Sequence, residues 1–472
     1  MSDVSKEKIQ SYLQTWRDKN NRTLLPLKMV FIMKSNGFIK LLILTATFST
    51  IQAYAGNIIA VENPGTNNDI QPNILNAYSK AKDGDIITLP AGTFSYSKSI
   101  EFKKLVSLKG AGKESTVLFR PETISDSSLM SNVFFKWKID RDSSCHIIIA
   151  GFTLKSKKPA GRDNLNGSLA SDFGIIIINA VDFVITDCRF ENFGYSAIMV
   201  QHKDDLARGL IYNNLFYHNF KGNGLGLGYG IVIYGGNLQW VNSPKFGTDN
   251  FIFIEDNTFE YHRHAIAGGG CGLYVCRHNT IKNNILPAAA VDMHEARGAS
   301  PNRYSTRATE IYSNEITNDV YIDDVPITNS QSHRAAGTGS NVNSLAYSGI
   351  GIRGGESLIY NNYVAYCKVA IVLYAFYNPK TGDQNVYPLS TQIGYKSAVM
   401  FGAYDKGSDL LHGDGDVYMW NNSIEPYGPS SNPYNMLFSN ADTTLLKEHR
   451  DYHFEVKPGY TPYVYPHPLR TE

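Results

Sequence analysis

Ile211-Tyr-Asn-Asn-Leu-Phe216, Ile254-Glu-Asp-Asn-Thr-Phe259, Cys276-Arg-His-Asn-Thr-Ile281, Ile311-Tyr-Ser-Asn-Glu-Ile316, Ile359-Tyr-Asn-Asn-Tyr-Val364 and Met419-Trp-Asn-Asn-Ser-Ile424 are copies of one short pattern. It runs apolar, variable, polar, Asn, variable, apolar. An earlier copy, Ile185-Thr-Asp-Cys-Arg-Phe190, carries Cys188 where the others carry Asn. The shortest spacing between the key positions is 22 residues, from Asn257 to Asn279, and the longer spacings hold Gly-rich or polar insertions. A unit recurring at such intervals marks a stacked repeat. Each unit alternates apolar and polar residues on short β-branched strands separated by turns. None leaves room for the helical crossover that joins parallel strands in an ordinary sheet. The remaining arrangement is a coil whose rungs stack about 4.8 Å apart. The fold class predicted is all-β, a right-handed parallel β-helix. The repeated Asn is expected at a tight turn, where it tolerates left-handed angles. Stacked amides then donate and accept along a ladder, which Cys188 interrupts at one end. Ordinary turn asparagines in a β-sandwich are the alternative.

Working outward, Ile70 to Lys82 has helical spacing of apolar residues, with a turn, strand and turn following in Gly84 to Phe94 and another strand in Val106 to Gly112. The helix is predicted to cap the open N-terminal end of the core, since a bare end is a template for aggregation. The Pro-rich stretch Lys457 to Pro468 is predicted to run extended along the outside of the coil. The domain organisation expected is an N-terminal extension over 1–32, a signal peptide over 33–55, the β-helix over 56–425 and a tail over 426–472.

The signal is read from Lys34 and Lys40, the apolar run Leu41 to Ile51, and Ala53-Tyr54-Ala55 before Gly56. That run is too short to span a bilayer, which takes about 20 residues. Met33 then serves as the working initiator, and the polar stretch before it, with one loose helix over Ser5 to Arg17, is an over-called start. The product is secreted or periplasmic, with no membrane contact after cleavage. The 472 residues carry a net charge of +1, which gives no footprint for nucleic acid. Apolar residues make up 43%, which excludes a wholly disordered chain. Tyr (30) exceeds Phe (23), as suits broad half-exposed surfaces. A monomer is expected. The five cysteines, Cys145, Cys188, Cys271, Cys276 and Cys367, form no disulfide framework. Cys271 and Cys276 are either buried free thiols or a pair. No Cys/His spacing suggests zinc.

The segment Asp83-Gly-Asp-Ile-Ile-Thr-Leu-Pro-Ala-Gly-Thr-Phe94 followed by Asn-marked rungs resembles the pectate-lyase-like right-handed parallel β-helix superfamily, over residues 57 to 425. The resemblance implies the fold. It does not fix a reaction, because that superfamily holds lyases, hydrolases, epimerases and non-catalytic adhesins. The Asn-Thr-Asp and Gly-His-Gly set of polygalacturonases is missing, as is the Trp-x-Asp-His of classical pectate lyases. His412-Gly-Asp-Gly-Asp416 matches neither.

A second family of strands aligns as Ala197 to Gln201, Gly230 to Tyr234, Ala265 to Gly269, Ala290 to His294, Gly349 to Arg353 and Ala370 to Tyr374. A period of two places their Ile, Val, Met and Leu inside. Gln201, Tyr234, Gly269, His294, Arg353 and Tyr374 then form one outward column, with Asp292 also outward. Gly268 to Gly270 leaves a hollow, and His262, Arg263 and His264 enter the same region. Such a trough suits an extended acidic polysaccharide, with Tyr rings against sugar faces and Arg against a uronate carboxylate. β-Elimination needs a group to neutralise that carboxylate, a base and an acid. Arg353, His294 and either Tyr234 or Tyr374 are the candidates for these roles. His262, Arg263, His264, Gly269 and Gln201 are candidates for substrate binding. Ca²⁺ held by Asp292 and Glu295 is the candidate cofactor. Glycoside hydrolysis is the alternative, through Asp292 with Glu295 or through Asp323 and Asp324. A non-catalytic binder or adhesin is the third possibility. Its contact loops would be the insertions Lys221 to Leu227, Ala296 to Arg307, Ile327 to Tyr347 and Pro379 to Asp416.

Overall fold

A computed structural model describes residues 25–35, 38–48, 56–120, 132–139, 146–157, 172–202, 206–220, 228–236, 243–284, 288–294, 305–318, 321–322, 325–326, 348–367, 369–373, 417–425, 439–440, 448–449 and 452–471. The chain divides into two units, residues 1–55 with Glu472, and residues 56–471. In the first unit, the strands Leu25–Ser35 and Phe38–Phe48 pair antiparallel. The apolar run of the expected signal falls partly on the second of these. The Ala53-Tyr54-Ala55 site and the helix expected over Ser5 to Arg17 lie outside the described residues.

The second unit is a right-handed parallel β-helix. Three parallel sheets of twelve, ten and ten strands run its length. We call them A, B and C. Each rung passes through A, turns at the repeated Asn, continues through a short strand in B, turns again, and crosses C. The rung of Gly209–Tyr212, Leu215–Tyr217 and Tyr229–Tyr234 is typical. Its strands pair with Ile252–Glu255, Thr258–Glu260 and His264–Gly269 of the next. The helix Gln71–Lys80, α1, lies at the first rungs and buries Ile74 and Ala77.

The ladder forms from Asn214 to Asn422. Asn214 Nδ2 donates to Asn257 Oδ1 at 3.0 Å, and the same bond continues through Asn279, Asn314, Asn362 and Asn422. Cys188 closes the row, its backbone N–H donating to Asn214 Oδ1 at 3.0 Å. The expected turn chemistry needs correction. The left-handed residue is the one before each ladder position: Asp187, Asn213, Asp256, His278, Ser313, Asn361 and Asn421, all with φ between 52° and 55°. That explains the polar residue preceding each Asn. One position makes the turn and the next stacks.

Below the ladder the core is filled by stacked rings and branched aliphatics. Phe190, Phe216 and Phe259 lie nearly parallel, with centroids 5.1 and 4.6 Å apart. The C-terminal residues cover the outer face of sheet A. Tyr460 donates to Glu310, and Arg277 donates to the carbonyls of Tyr463 and Val464 at 2.8 and 2.9 Å. Cys188, Cys271, Cys276 and Cys367 are buried, and Cys271 and Cys276 form no disulfide with each other.

Candidate active site

Sheet C departs from strict alternation, and the departure shapes the site. In seven of its ten strands a Gly or Ala points inward, and the Ile or Val after it does too. Ala197 with Ile198, Ala265 with Ile266 and Ala290 with Val291 all lie in the central core. The first must be small. A Cβ on Gly230 would lie 2.8 Å from the Phe259 ring, and one on Gly349 would lie 2.5 Å from Val364. Met199 and Val232, expected inside, sit in an outer cluster with Tyr229, Phe173 and Ala267, because they alternate with the inward Ile198, Val200, Ile231 and Ile233. The slip brings Tyr229 and His264, opposite each other in the register, onto the outer face of sheet C.

The expected column holds in register. Gln201 pairs with Tyr234, and Tyr234 with Gly269. Asp292 pairs with Gly351 and Met293 with Ile352. One residue further, His294 N bonds Gly268 O at 3.0 Å and Arg353 N bonds Met293 O at 3.1 Å, so the pattern continues through both. Tyr374 and Glu295 lie outside the described residues, as do Asp323 and Asp324. Gly269 keeps the column tight: a Cβ there would meet the Tyr234 ring at 3.1 Å and His294 Cβ at 3.8 Å. Gln201 is exposed at the lower end of the column.

Asp292 is the hub, only 1% exposed. Arg353 Nε donates to its Oδ1 at 3.0 Å, and Arg353 Nη2 contacts its Oδ2. Tyr274 OH donates to its backbone carbonyl at 3.1 Å. His294 Nε2 lies 3.2 Å from Oδ2 and His264 Nε2 3.8 Å from it. Burial would raise the Asp292 carboxyl, but the Arg353 guanidinium, aided by His294, outweighs burial and holds it below the ordinary value. At that acidity Asp292 only accepts, so the His294 nitrogen facing it carries the proton. His294 Nδ1 then accepts from Arg353 Nη2 at 2.8 Å. This corrects the role expected for Arg353. It is 8% exposed, and two of its nitrogens bind Asp292, so it clamps the hub.

The cation that faces outward is Arg263, half-buried, with Nη1 donating to Tyr229 OH at 3.2 Å. The same phenol lies 3.4 Å from His294 Nε2. The sequence reading missed Tyr229, and the small residue after it, Gly230, is the signal for the slip that turns it outward. Burial raises the Tyr229 phenol against the opposing pull of Arg263. Burial, with Tyr195 and Tyr229 nearby, holds Tyr234 well above its usual value, so both phenols keep their protons at neutral pH.

His262 leaves the trough. It is fully buried and occupies an Asn-like place in a second row of turn bonds between B and C. Asn219 Oδ1 accepts from Phe193 N, and Asn219 Nδ2 donates to Phe190 O. One rung on, His262 Nδ1 accepts from Asn219 N at 3.2 Å and Nε2 donates to Phe216 O at 3.3 Å. Its neighbours are in the trough: Arg263 as described, and His264 at its floor.

Of the two residues expected to hold calcium, Glu295 lies outside the described residues and Asp292 lies in the cluster. Ca²⁺ takes six to eight oxygens. Among the described residues the cluster offers one carboxylate, clamped by Arg353, and two imidazoles.

Fold and site together define a parallel β-helix with a polar cluster on the outer face of sheet C. No family model matches the chain, and no curated protein matches it in sequence. Among solved structures it is similar to the DFA-IIIase from Arthrobacter chlorophenolicus A6, with 11% identity, TM-score 0.46, and 83% of this chain and 88% of that one covered. It is also similar to an alginate lyase from Paenibacillus sp. str. FPU-7, with 11% identity, TM-score 0.38 and coverage of 86% and 97%. A third is pectin methylesterase PemA from Erwinia chrysanthemi, with 9% identity, TM-score 0.36 and coverage of 82% and 93%. At these identities and scores the likenesses say nothing of the reaction.

Proposed function

We propose that this protein is a secreted polysaccharide lyase that cleaves a uronate-containing chain by β-elimination in the trough on sheet C. The observation that carries the reading is the cluster itself: an imidazole held by a clamped carboxylate, flanked by two protonated phenols and an outward guanidinium. Arg263 takes the substrate carboxylate, which makes the adjacent C–H acidic. Asp292, held by Arg353, fixes the His294 ring, and its Nδ1 removes that proton once the substrate displaces the Arg353 N–H. The C–H electron pair forms the new double bond as the bond to the leaving oxygen breaks. Tyr234, kept neutral by burial, donates its proton to that oxygen. The charges suit an anionic polymer, because Asp292 is one anion against Arg353 and Arg263. Hydrolysis is less well supported. It calls for two carboxyl groups about 5–9.5 Å apart, and among the described residues the cluster holds one.

Incubation with a panel of uronate polysaccharides tests the proposal. Elimination leaves an unsaturated end that absorbs in the ultraviolet, and His294→Ala removes turnover. Chain shortening without the new absorption would mean hydrolysis, and retention without shortening would mean a binder. N-terminal sequencing of the exported protein tests cleavage after Ala55.

A further inference from the structure

Two acceptors face each other inside the cluster. His264 is 1% exposed, and its Nδ1 lies 2.5 Å from the Ala289 carbonyl. A carbonyl only accepts, so Nδ1 bears the hydrogen and Nε2 the lone pair. That Nε2 has no hydrogen-bond partner, is buried, and is 3.8 Å from Asp292 Oδ2. A lone pair and an anionic oxygen set opposite one another in a dry site call for a cation.

We propose that His264, Asp292 and His294 bind a divalent transition-metal ion of the zinc or cobalt kind. The three ligand atoms lie within 4.8 Å of one another. Two ligands on one tetrahedral ion sit about 3.4 Å apart at ordinary zinc–nitrogen and zinc–oxygen bond lengths. The observed separations of 3.2 and 3.8 Å from Asp292 Oδ2 bracket that distance. Two imidazoles and one carboxylate select first-row transition ions over calcium or magnesium. The Ala289 carbonyl on Nδ1 is the outer-shell support such a ligand normally has, fixing ring and tautomer. The linear sequence hides the set. His264 comes from one rung and Asp292 with His294 from the next, and no short spacing joins them. His294 can offer either nitrogen, since a neutral imidazole exchanges tautomers.

Arg353 is the built-in competitor. Its Nη2 touches both Asp292 and His294, while its Nε holds Asp292 Oδ1. An ion displaces Nη2 alone and leaves the Nε bond in place. Arg353 therefore lowers affinity for the ion, and removing its charge should raise it. The inference does not rest on the elimination chemistry. If that chemistry holds, the ion occupies His294 and turnover stops.

The test is a titration of the full chain, stripped with EDTA, with cobalt chloride. One equivalent should give the visible absorption of cobalt in a nitrogen–oxygen site, and zinc should bleach it. His264→Gln and His294→Gln should each weaken binding at least tenfold, with unchanged circular dichroism. Arg353→Gln should tighten it at least tenfold. No visible bands from the wild-type protein, or bands indifferent to His264→Gln, would overturn the proposal. So would an Arg353→Gln protein that binds cobalt no more tightly than wild type. Turnover on a uronate polymer without metal binding would leave the lyase reading standing and sink this one alone.

Discussion

Acid should loosen this protein through His262, and replacing that residue with Asn should remove the effect. His262 is fully buried, and burial holds its imidazole down at about 3, where an exposed ring titrates near 6.5. The geometry gives a second reason. Neutral Nδ1 accepts the Asn219 backbone N–H at 3.2 Å, and a proton on Nδ1 would give up that bond, leaving the Asn219 carbonyl at 3.3 Å as its acceptor. The unfolded chain has no such constraint and takes up its proton as pH falls through about 6.5. Between 6.5 and 3 the unfolded state binds more protons than the folded one, so stability is full above 6.5 and falls with pH. The gap of about 3.5 units corresponds to about 5 kcal/mol over the whole range, and about 2 kcal/mol is already lost at pH 5. Asn219 shows what an Asn does at this place, accepting from one backbone N–H and donating to one carbonyl. His262→Asn should therefore fold with stability within about 1 kcal/mol of wild type at pH 8. It should be the more stable protein at pH 5. Urea unfolding of both proteins from pH 8 to 5 measures this, with the difference between midpoints growing as pH falls. Parallel pH profiles would refute the buried neutral imidazole. A variant with unchanged stability and lost polysaccharide turnover would return His262 to the trough.

Four further outcomes follow from the same contacts. Asn257→Ala removes an amide that donates to the Ile211 and Glu255 carbonyls and accepts from Asn214. It should cost about 2–5 kcal/mol in urea unfolding, since each stranded buried group costs about 1–3 kcal/mol, whereas Asn422→Ala at the ladder's end should cost about 1 kcal/mol. Cys188→Asn should extend the ladder by one rung and leave stability unchanged or up to about 1 kcal/mol higher, read as a raised thermal midpoint. Arg353→Gln strands the Asp292 carboxylate and should cost about 3–5 kcal/mol by urea unfolding in EDTA, with cobalt or zinc restoring part of it. Gly269→Ala pushes a methyl toward the Tyr234 ring, now 3.1 Å from the site of that Cβ. It should lower turnover at least tenfold while the melting temperature moves by only a few degrees.

The sequence made the coil legible because its ladder is built from a residue type at a recurring place, and neither burial nor distance is needed to see Asn214, Asn257, Asn279 and Asn314 recur. The column was legible for the same reason: Tyr234, His294 and Arg353 end strands that align on their apolar residues, and register carries alignment into space. What alignment cannot supply is partnership. Arg353 reads as a cation offered to substrate until Asp292 is seen to hold its fork, and His262 reads as a binding residue until its ring is found among backbone groups at a turn. Tyr229 is missed for a different reason, as is the strand position of His264, since a period of two assumes that no strand slips. Here seven of the ten strands of sheet C slip once, at Gly174, Ala197, Gly230, Ala265, Ala290, Gly349 or Ala370, because the core beneath has no space there for a larger side chain. A small residue immediately before Ile or Val in each unit is visible in the sequence. Taken as a slip, it turns both residues to the outer face, and the imidazole with an unfilled lone pair then falls beside Asp292 and His294. The packing need of the core thus places the candidate metal ligand.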